Sequence, residues 1–454
     1  GVLSFSVTDV SIPGNNALPV AITRGWTLSN TRGQAANRLM ADWQVSLPRI
    51  TGQFADQWLT AGTSTQRCSD TRGPAVPSDV VGIFDISAFW NGIRLEVPGG
   101  GGDLLLTAAG VAKPTDGRTY VWVTGDGQTH VSCLSTIKNG SGEGFHAVTP
   151  DGTRYTFDWM ARRSIPRIFR KSKDPAGATI IYRMPIHEYS LYATRVEDRH
   201  GNWVEYTYTN AATDLPRLTR IHASDGRELT IGYSNTPRIT SVSDGSRTWS
   251  YTYGTDGAGR PRLSVVTRPD NSTWQINFSA LSHTPIIPQY DGDDHSCLSL
   301  ATPENLFSEV EGSIVHPSGA VGTFHVGIRE HGRSNVTLSC SGVTTTPSTA
   351  PPGTGNDPLD DVNLFVVSAY SWSLLRKEIT GPGLPSMVWT YDYSSDIWAH
   401  LYPGTTPDFP VCIGAQCFQP ACTSDACAGT AQTFIVRPDG HWERYVFGNS
   451  WQYN

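Results

Sequence analysis

The sequence predicts an all-β chain in which repeated hairpins join into one coiled, spiral sheet. Three observations carry that expectation: a strand–turn–strand unit recurs, its aromatic residues are spaced two apart, and no stretch shows sustained helical periodicity. The unit runs three times without a break from Leu218 to Phe278. Leu218-Thr-Arg-Ile221 leads through Ser224-Asp-Gly-Arg227 into Leu229-Thr-Ile231-Gly-Tyr233. Ile239-Thr-Ser-Val242 leads through Asp244-Gly-Ser-Arg247 into Trp249-Ser-Tyr251-Thr-Tyr253. Leu263-Ser-Val-Val266 leads through Pro269-Asp-Asn-Ser272 into Trp274-Gln-Ile276-Asn-Phe278. An Asp-Gly or Asp-Asn step supplies the positive φ of a tight hairpin turn. The alternation that follows places Trp249, Tyr251 and Tyr253 on one face of a strand. A single hairpin cannot bury such a stripe, so neighbouring hairpins must cover it.

Along the chain, Phe5-Ser-Val7-Thr-Asp-Val10 alternates, turns at Pro13-Gly-Asn-Asn16 and resumes at Leu18-Pro-Val20-Ala-Ile22. Residues 60–80, rich in Thr, Ser and Pro, read as a loop tied down by Cys68. Gly99 to Gly102 form a hairpin tip after Ile93-Arg-Leu95-Glu-Val97; a phosphate-cradling role would need a following Lys-Ser/Thr, which is absent. Asp151-Gly-Thr-Arg-Tyr155-Thr-Phe157-Asp-Trp159 is an early copy of the unit, and His200-Gly-Asn202 with Val204, Tyr206 and Tyr208 is another. Residues 35–43 and 303–310 are the best helical candidates, and both are weak. Residues 341–361 and 395–432 read as loop insertions. The final copy is Phe434-Ile-Val-Arg-Pro438-Asp-Gly-His441-Trp442, continuing through Tyr445-Val-Phe447. The expected division is a β-rich region over 1–190 and a hairpin array over 191–454. Repeat arrays need a cap at each end, so the expectation is a segment of a longer polypeptide.

The cysteine count is eight. Cys68 and Cys133 lie in the first third, Cys297 and Cys340 in the middle, and Cys412, Cys417, Cys422 and Cys427 recur every five residues. An even count in a turn-rich β chain reads as disulfides in an oxidising compartment, hence a secreted or cell-surface location. The expected pairs are Cys68–Cys133 and Cys297–Cys340, with the last four pairing among themselves. A metal site there would want tighter knuckles and a neighbouring histidine.

The net charge of −7 argues against general nucleic-acid binding, and no apolar run is long enough to span a membrane. Asp291-Gly-Asp293-Asp294-His295 lacks calcium-loop spacing and reads as a solvated loop. His187-Glu188 lacks the second histidine of a zinc helix and lies in strand-like sequence. Arg162, Arg163, Arg167, Arg170, Lys171 and Lys173 put six cations into twelve residues. They read as an exposed strand pair, with contact to an acidic partner as the alternative. No nucleophile–base or metal-ligand set stands out, so neither an enzymatic role nor a cofactor is expected.

The repeated Asp-Gly-x-x-aromatic-x-aromatic after a Leu/Ile-Thr strand resembles the RHS/YD-repeat family. So do Tyr206-Thr-Tyr208, Tyr251-Thr-Tyr253, and Val436-Arg-Pro-Asp-Gly440 with its Tyr-Val-Phe-Gly-Asn finish. Asp9-Val-Ser-Ile-Pro-Gly14, Leu18-Pro-Val20 and Trp43-Gln-Val-Ser-Leu-Pro48 are similar to the lead-in that precedes such repeats. The family's Tyr-Asp pair closes a strand only at Tyr391-Asp392, and its C-terminal self-cleaving core is not found here. The resemblance implies a hollow β-cocoon that encloses a polypeptide, its stripe formed by Tyr206, Tyr208, Tyr233, Trp249, Tyr251, Tyr253, Trp274, Phe278, Tyr445 and Phe447. The expected function is a non-enzymatic exported scaffold holding a toxin-type cargo. Its partners would be the downstream polypeptide, a cargo chain or a second copy. The alternative is a cell-surface adhesin or glycan-binding module.

Overall fold

The structure is a computed structural model. It describes residues 3–28, 38–55, 57–58, 65–77, 86, 89–98, 102–173, 179–257, 259–281, 289–290, 300–301, 309–332, 368–393, 411–413, 416–418 and 430–448. Every regular element among them is a strand. The segment 38–43, a weak helical candidate, instead bends through two isolated bridges, with Ala41 at φ 60°.

The chain begins with a small antiparallel sheet of β1 (Ser4–Ile12), β2 (Val20–Thr27) and β3 (Gln44–Val45). Opposite Thr23 and Ile22 the β1 register slips by one residue, at Asp9. A bulge of this kind resets the side-chain phase, so that Phe5, Val7 and Asp9 point inward, and then Val10 and Ile12 do too.

Eight strands then close a barrel. These are β4 (Arg49–Ala55), β5 (Arg94–Glu96), β6 (Gly102–Thr107), β7 (Tyr120–Thr124), β8 (His130–Leu134), β9 (Gly144–Val148), β10 (Arg154–Lys173) and β11 (Thr179–Glu197). Each pairs antiparallel with the next, and β11 returns to β4 with Leu191 opposite Ile50. A barrel of this strand number has an interior that side chains alone can fill. Phe54, Trp58 and Phe145 do so here, with ring centroids 4.7 Å apart for Phe54–Trp58 and 5.9 Å for Trp58–Phe145. The segment 65–70 folds back on the barrel. Cys68 is bonded to Cys133 of β8, Trp122 Nε1 donates to the Cys68 carbonyl at 2.7 Å, and the Glu143 carboxylate accepts from the Cys68 and Ser69 amides.

From β11 the sheet continues as an antiparallel meander: β12 (Trp203–Tyr208), β13 (Leu218–Ala223), β14 (Glu228–Tyr233), β15 (Ile239–Ser243), β16 (Thr248–Thr255), β17 (Pro261–Thr267) and β18 (Thr273–Asn277). β19 (Gln289–Tyr290) and β20 (Leu300–Ala301) pair only with each other. The meander resumes through β21 (Glu309–Val315), β22 (Val321–Gly332), β23 (Ser368–Gly381) and β24 (Leu384–Tyr393). After a separate hairpin of β25 (Val411–Ile413) and β26 (Gln416–Phe418), β27 (Thr430–Val436) and β28 (Trp442–Gly448) complete it. The three expected hairpins are β13–β14, β15–β16 and β17–β18. Their turns carry the expected left-handed residues, Gly226, Gly245 and, in place of glycine, Asn271 at φ 63°. Residues 190 and 191, the expected division between regions, are neighbours in β11, the strand shared by barrel and meander.

One apolar core runs from the N-terminal sheet through the barrel and along the meander to Trp372. Phe5, Trp26 and Trp43 of the first segment pack against Phe278 at centroid distances of 5.1, 4.7 and 6.2 Å. The N-terminal sheet therefore fills the apolar face of β12–β22, where it buries the stripe that no hairpin could bury alone.

Replacing Cys68 and Cys133 together by Ser opens a link 65 residues apart in sequence. The expected cost is about 2–4 kcal/mol in urea unfolding under non-reducing conditions. A loss under about 1 kcal/mol would show that the Glu143 and Trp122 contacts hold the segment without the bridge.

Candidate functional site

The repeat tyrosines have a common task. The hydroxyl of Tyr208 donates to the Ala193 carbonyl at 3.2 Å, Tyr233 to Leu218 at 2.8 Å, Tyr253 to Ile239, and Tyr393 to Leu374 at 2.9 Å. Burial pushes the Tyr208, Tyr233 and Tyr253 phenols up, so they stay protonated donors. At the same level of the first three of these strands the ladder slips, immediately before Tyr208, Tyr233 and Tyr253. The extra residues are Thr219, Thr240 and Ser264. The Thr219 hydroxyl donates to the Thr207 carbonyl at 3.1 Å and the Ser264 hydroxyl to Thr252 at 2.9 Å. A bulge bends its strand and increases the local twist. The same bulge recurs at one level of three successive strand pairs.

The bulges also release backbone groups from the ladder, and the N-terminal segment takes them up. The Ile239 amide donates to the Leu39 carbonyl at 2.9 Å, and the Leu263 amide to Asp42 Oδ1 at 2.8 Å. Burial pushes the Asp42 carboxyl up to about 6, against the pull of the Leu263 amide and of Arg262. Arg227, between β13 and β14, reaches the same segment. Its Nη1 donates to the Ile12 and Leu18 carbonyls at 3.2 and 3.1 Å, and its Nε to Asp225 at 2.8 Å. Deeper in, Arg24 is fully buried: its Nε donates to both Asp9 oxygens at 3.0 Å, and its guanidinium lies 4.4 Å from the Trp43 ring centroid. Tyr251 donates to the same Asp9 carboxylate at 3.1 Å.

A cluster of charge sits where β11 leaves the barrel. Register places Arg163 opposite Glu188 on the β10–β11 hairpin and Tyr192 opposite Arg49 on β4. Arg163 Nη2 donates to Glu188 Oε2 at 2.7 Å, and Arg49 Nη1 to Glu188 Oε1 at 3.0 Å. Arg49 Nε also donates to Glu96 at 2.7 Å. Burial alone would push the Glu188 carboxyl up, but Arg49, Arg163 and Arg38 overrule it and hold it at about 2. Arg38 comes from the bend of the N-terminal segment. Burial first, then repulsion from Arg163, lowers its guanidinium to about 10. Arg38, Arg49, Arg163 and Glu188 line a cavity of about 40 Å3 together with Arg162, Ser190, Tyr192, Leu215 and Pro216.

Tyr206, Tyr208, Trp249, Tyr251 and Phe278 are buried, while Tyr233, Tyr253 and Trp274 are partly buried against the same core. Tyr445 differs from the others: it is 47% exposed at the outermost hairpin. Phe447 belongs to β28, with its side chain outside the described residues. Cys412 and Cys417 face each other in register across β25–β26; Cys297, Cys340, Cys422 and Cys427 lie outside the described residues, as do residues 291–295. The basic run does form a strand paired with its neighbour, and His187-Glu188 is strand as expected. Sequence reasoning missed that these two stretches face each other and that Arg38 and Arg49 join them. Alternation around Arg24 was also a signal: it occupies an inward position between Ile22 and Trp26.

The fold is thus a closed antiparallel barrel extended by a bulged hairpin meander, with its inner face filled by the chain's own first segment. No family model matches the chain, and no curated protein is similar to it at a significant level. 

Because the Glu188 carboxyl lies lower in the fold than its ordinary 4.5, it contributes stability above pH 4.5 that is lost as the pH falls toward 2. The expected contribution is on the order of 3 kcal/mol. Glu188→Gln should remove that part of the acid dependence in urea titrations at pH 3 to 7. An unchanged slope would show that Glu188 is not the group that titrates.

Proposed function

We propose that this chain is a non-enzymatic, exported scaffold of the RHS/YD type, whose coiled meander holds polypeptide against its inner face. The observation that carries the reading is the capture of the Leu39 carbonyl and the Asp42 carboxylate by amides beside the repeat bulges. The repeat presents backbone donors at regular intervals on an apolar, aromatic face, and an extended peptide is the ligand that such a surface suits. The bulge geometry supports a spiral, because curvature of one sign accumulates along the array. The disulfide supports an oxidising location. A cargo chain would meet the same combination of aromatic stripe and spaced donors that the N-terminal segment meets.

The test opens the inner face. Trp43→Ala removes the ring that stacks on Phe278 and Arg24 and should cost about 3–5 kcal/mol. In hydrogen exchange the Ile239 and Leu263 amides should then lose protection while the β4–β9 amides keep theirs. The opened variant should cross-link to a permanently unfolded, carboxymethylated probe protein, and the wild type should not. Protection lost uniformly over the chain, or no capture by the opened variant, would sink the reading.

A second reading, a glycan-binding surface module, is favoured by Trp442. It is 65% exposed and pairs across the ladder with the exposed Val436. An open indole face beside aliphatic surface can stack on a sugar ring. Trp442→Ala should abolish retention on any polysaccharide column that holds the wild type; equal retention would dismiss this surface.

A further inference from the structure

We propose that the cavity at the root of the meander binds a small oxyanion of the phosphate or sulfate class. Four guanidinium groups, Arg38, Arg49, Arg162 and Arg163, line it, and among the described residues Glu188 is the only carboxylate that does. Arg49 is committed to Glu96, Glu188 and Ser190, and Arg163 to Glu188. Arg38 and Arg162 are not so committed. The Arg38 Nε is buried and has no hydrogen-bond partner among the described residues. Arg162 contributes its backbone amide to the Asp214 carbonyl, and its side chain makes no ion pair with any described residue while it lines the cavity.

Arg38 feels the charges of Glu188 and Asp42 but has no acceptor for its buried Nε, and a hydrogen-bonded negative group there would remove the cost of leaving that donor unpaired. Planar guanidinium groups are suited to this, since each can present two parallel donors to a tetrahedral or planar oxyanion. The free space, about 40 Å3, holds on the order of three water molecules, so a compact anion fits and a bulky one does not. An adjoining cleft of about 510 Å3 shares Arg162, Leu215 and Pro216 with the cavity and is lined further by Asn210, Asp214 and Arg217. The cleft gives room for a polar body attached to the anion. The repulsion of Arg38 by Arg163 is consistent with a site built to gain from added negative charge. The proposal does not depend on what the inner face holds.

The test is calorimetric titration of the full chain with inorganic phosphate, sulfate and glucose 6-phosphate, with sodium chloride at matched ionic strength as the reference. Phosphate and sulfate should bind with one site per chain and raise the melting temperature, while chloride should not. Arg38→Gln and Arg162→Gln, each checked for wild-type circular dichroism, should weaken binding about ten-fold or more, the loss expected for one charge-assisted hydrogen bond. Arg118→Gln, at a residue that pairs with Asp116 and lines neither the cavity nor the cleft, should leave binding unchanged. Tighter binding of glucose 6-phosphate than of phosphate would identify the anion as the head of a larger ligand in the cleft; equal or weaker binding would identify the free ion. No binding above the chloride reference, or binding unaffected by both arginine substitutions, would overturn the proposal.

Discussion

A β-strand has two edges, and the whole molecule depends on how β11 divides its second one. Its first edge is committed to β10 along its length. Its second pairs with β4 from Ile186 to Tyr192 and with β12 from Arg195 to Glu197. Between them the Ala193 amide is taken by the Pro48 carbonyl. Pairing with β4 closes the barrel; pairing with β12 starts the meander. The two sheets share this strand, so they are fixed relative to each other without a linker. The fork leaves a wedge that neither sheet can fill. The segment from Arg38 to Leu47 fills it, and for that reason the arginine cluster forms there.

The bulge of the meander is a local feature repeated. Tyr208, Tyr233 and Tyr253 each follow a register slip and each donate a hydroxyl to the strand before. The threonine or serine at the slip satisfies a carbonyl that the ladder leaves behind. In those two copies a side-chain hydroxyl thus does what a ladder amide does elsewhere. Gly232 stands where the first and third copies have threonine, and a Cβ there would lie 2.3 Å from Ser241 Oγ.

Much of this was legible in sequence. The Asp-Gly and Asp-Asn steps set the turns, the period-two aromatics set the buried face, and Cys68 and Cys133 had no other partner nearby. The turns and the aromatic stripe are short-range signals, carried within about twenty residues, and the cysteine pair, 65 residues apart, is read by elimination. The barrel was not legible, because its closure pairs β4 with β11 across more than a hundred residues and no local pattern encodes that register. The branch-point cluster was hidden for the same reason. Arg163 and Glu188 read as part of an exposed basic strand pair and a failed zinc motif. Only the hairpin register brings them opposite, and only the wedge brings Arg38 and Arg49 to them.

The N-terminal sheet raises a question of specificity that its apolar contacts do not answer. Phe5, Trp26 and Trp43 would pack in several registers on an aromatic face, since stacking is tolerant of sliding. A buried ion pair is not. Arg24 is fully buried and tied to Asp9, which the β1 bulge turns inward. Burial pushes the Asp9 carboxyl up, and the Arg24 and Tyr251 contacts oppose that push. Such a pair adds little net stability over an apolar replacement, but misplacing it by one residue would bury an unpaired charge. The register of the N-terminal sheet is therefore fixed by what a wrong register would cost. Tyr251, a repeat tyrosine, contributes to that fixing from the opposite wall. The same alternation that builds the meander thus also selects the one position at which its filling can sit.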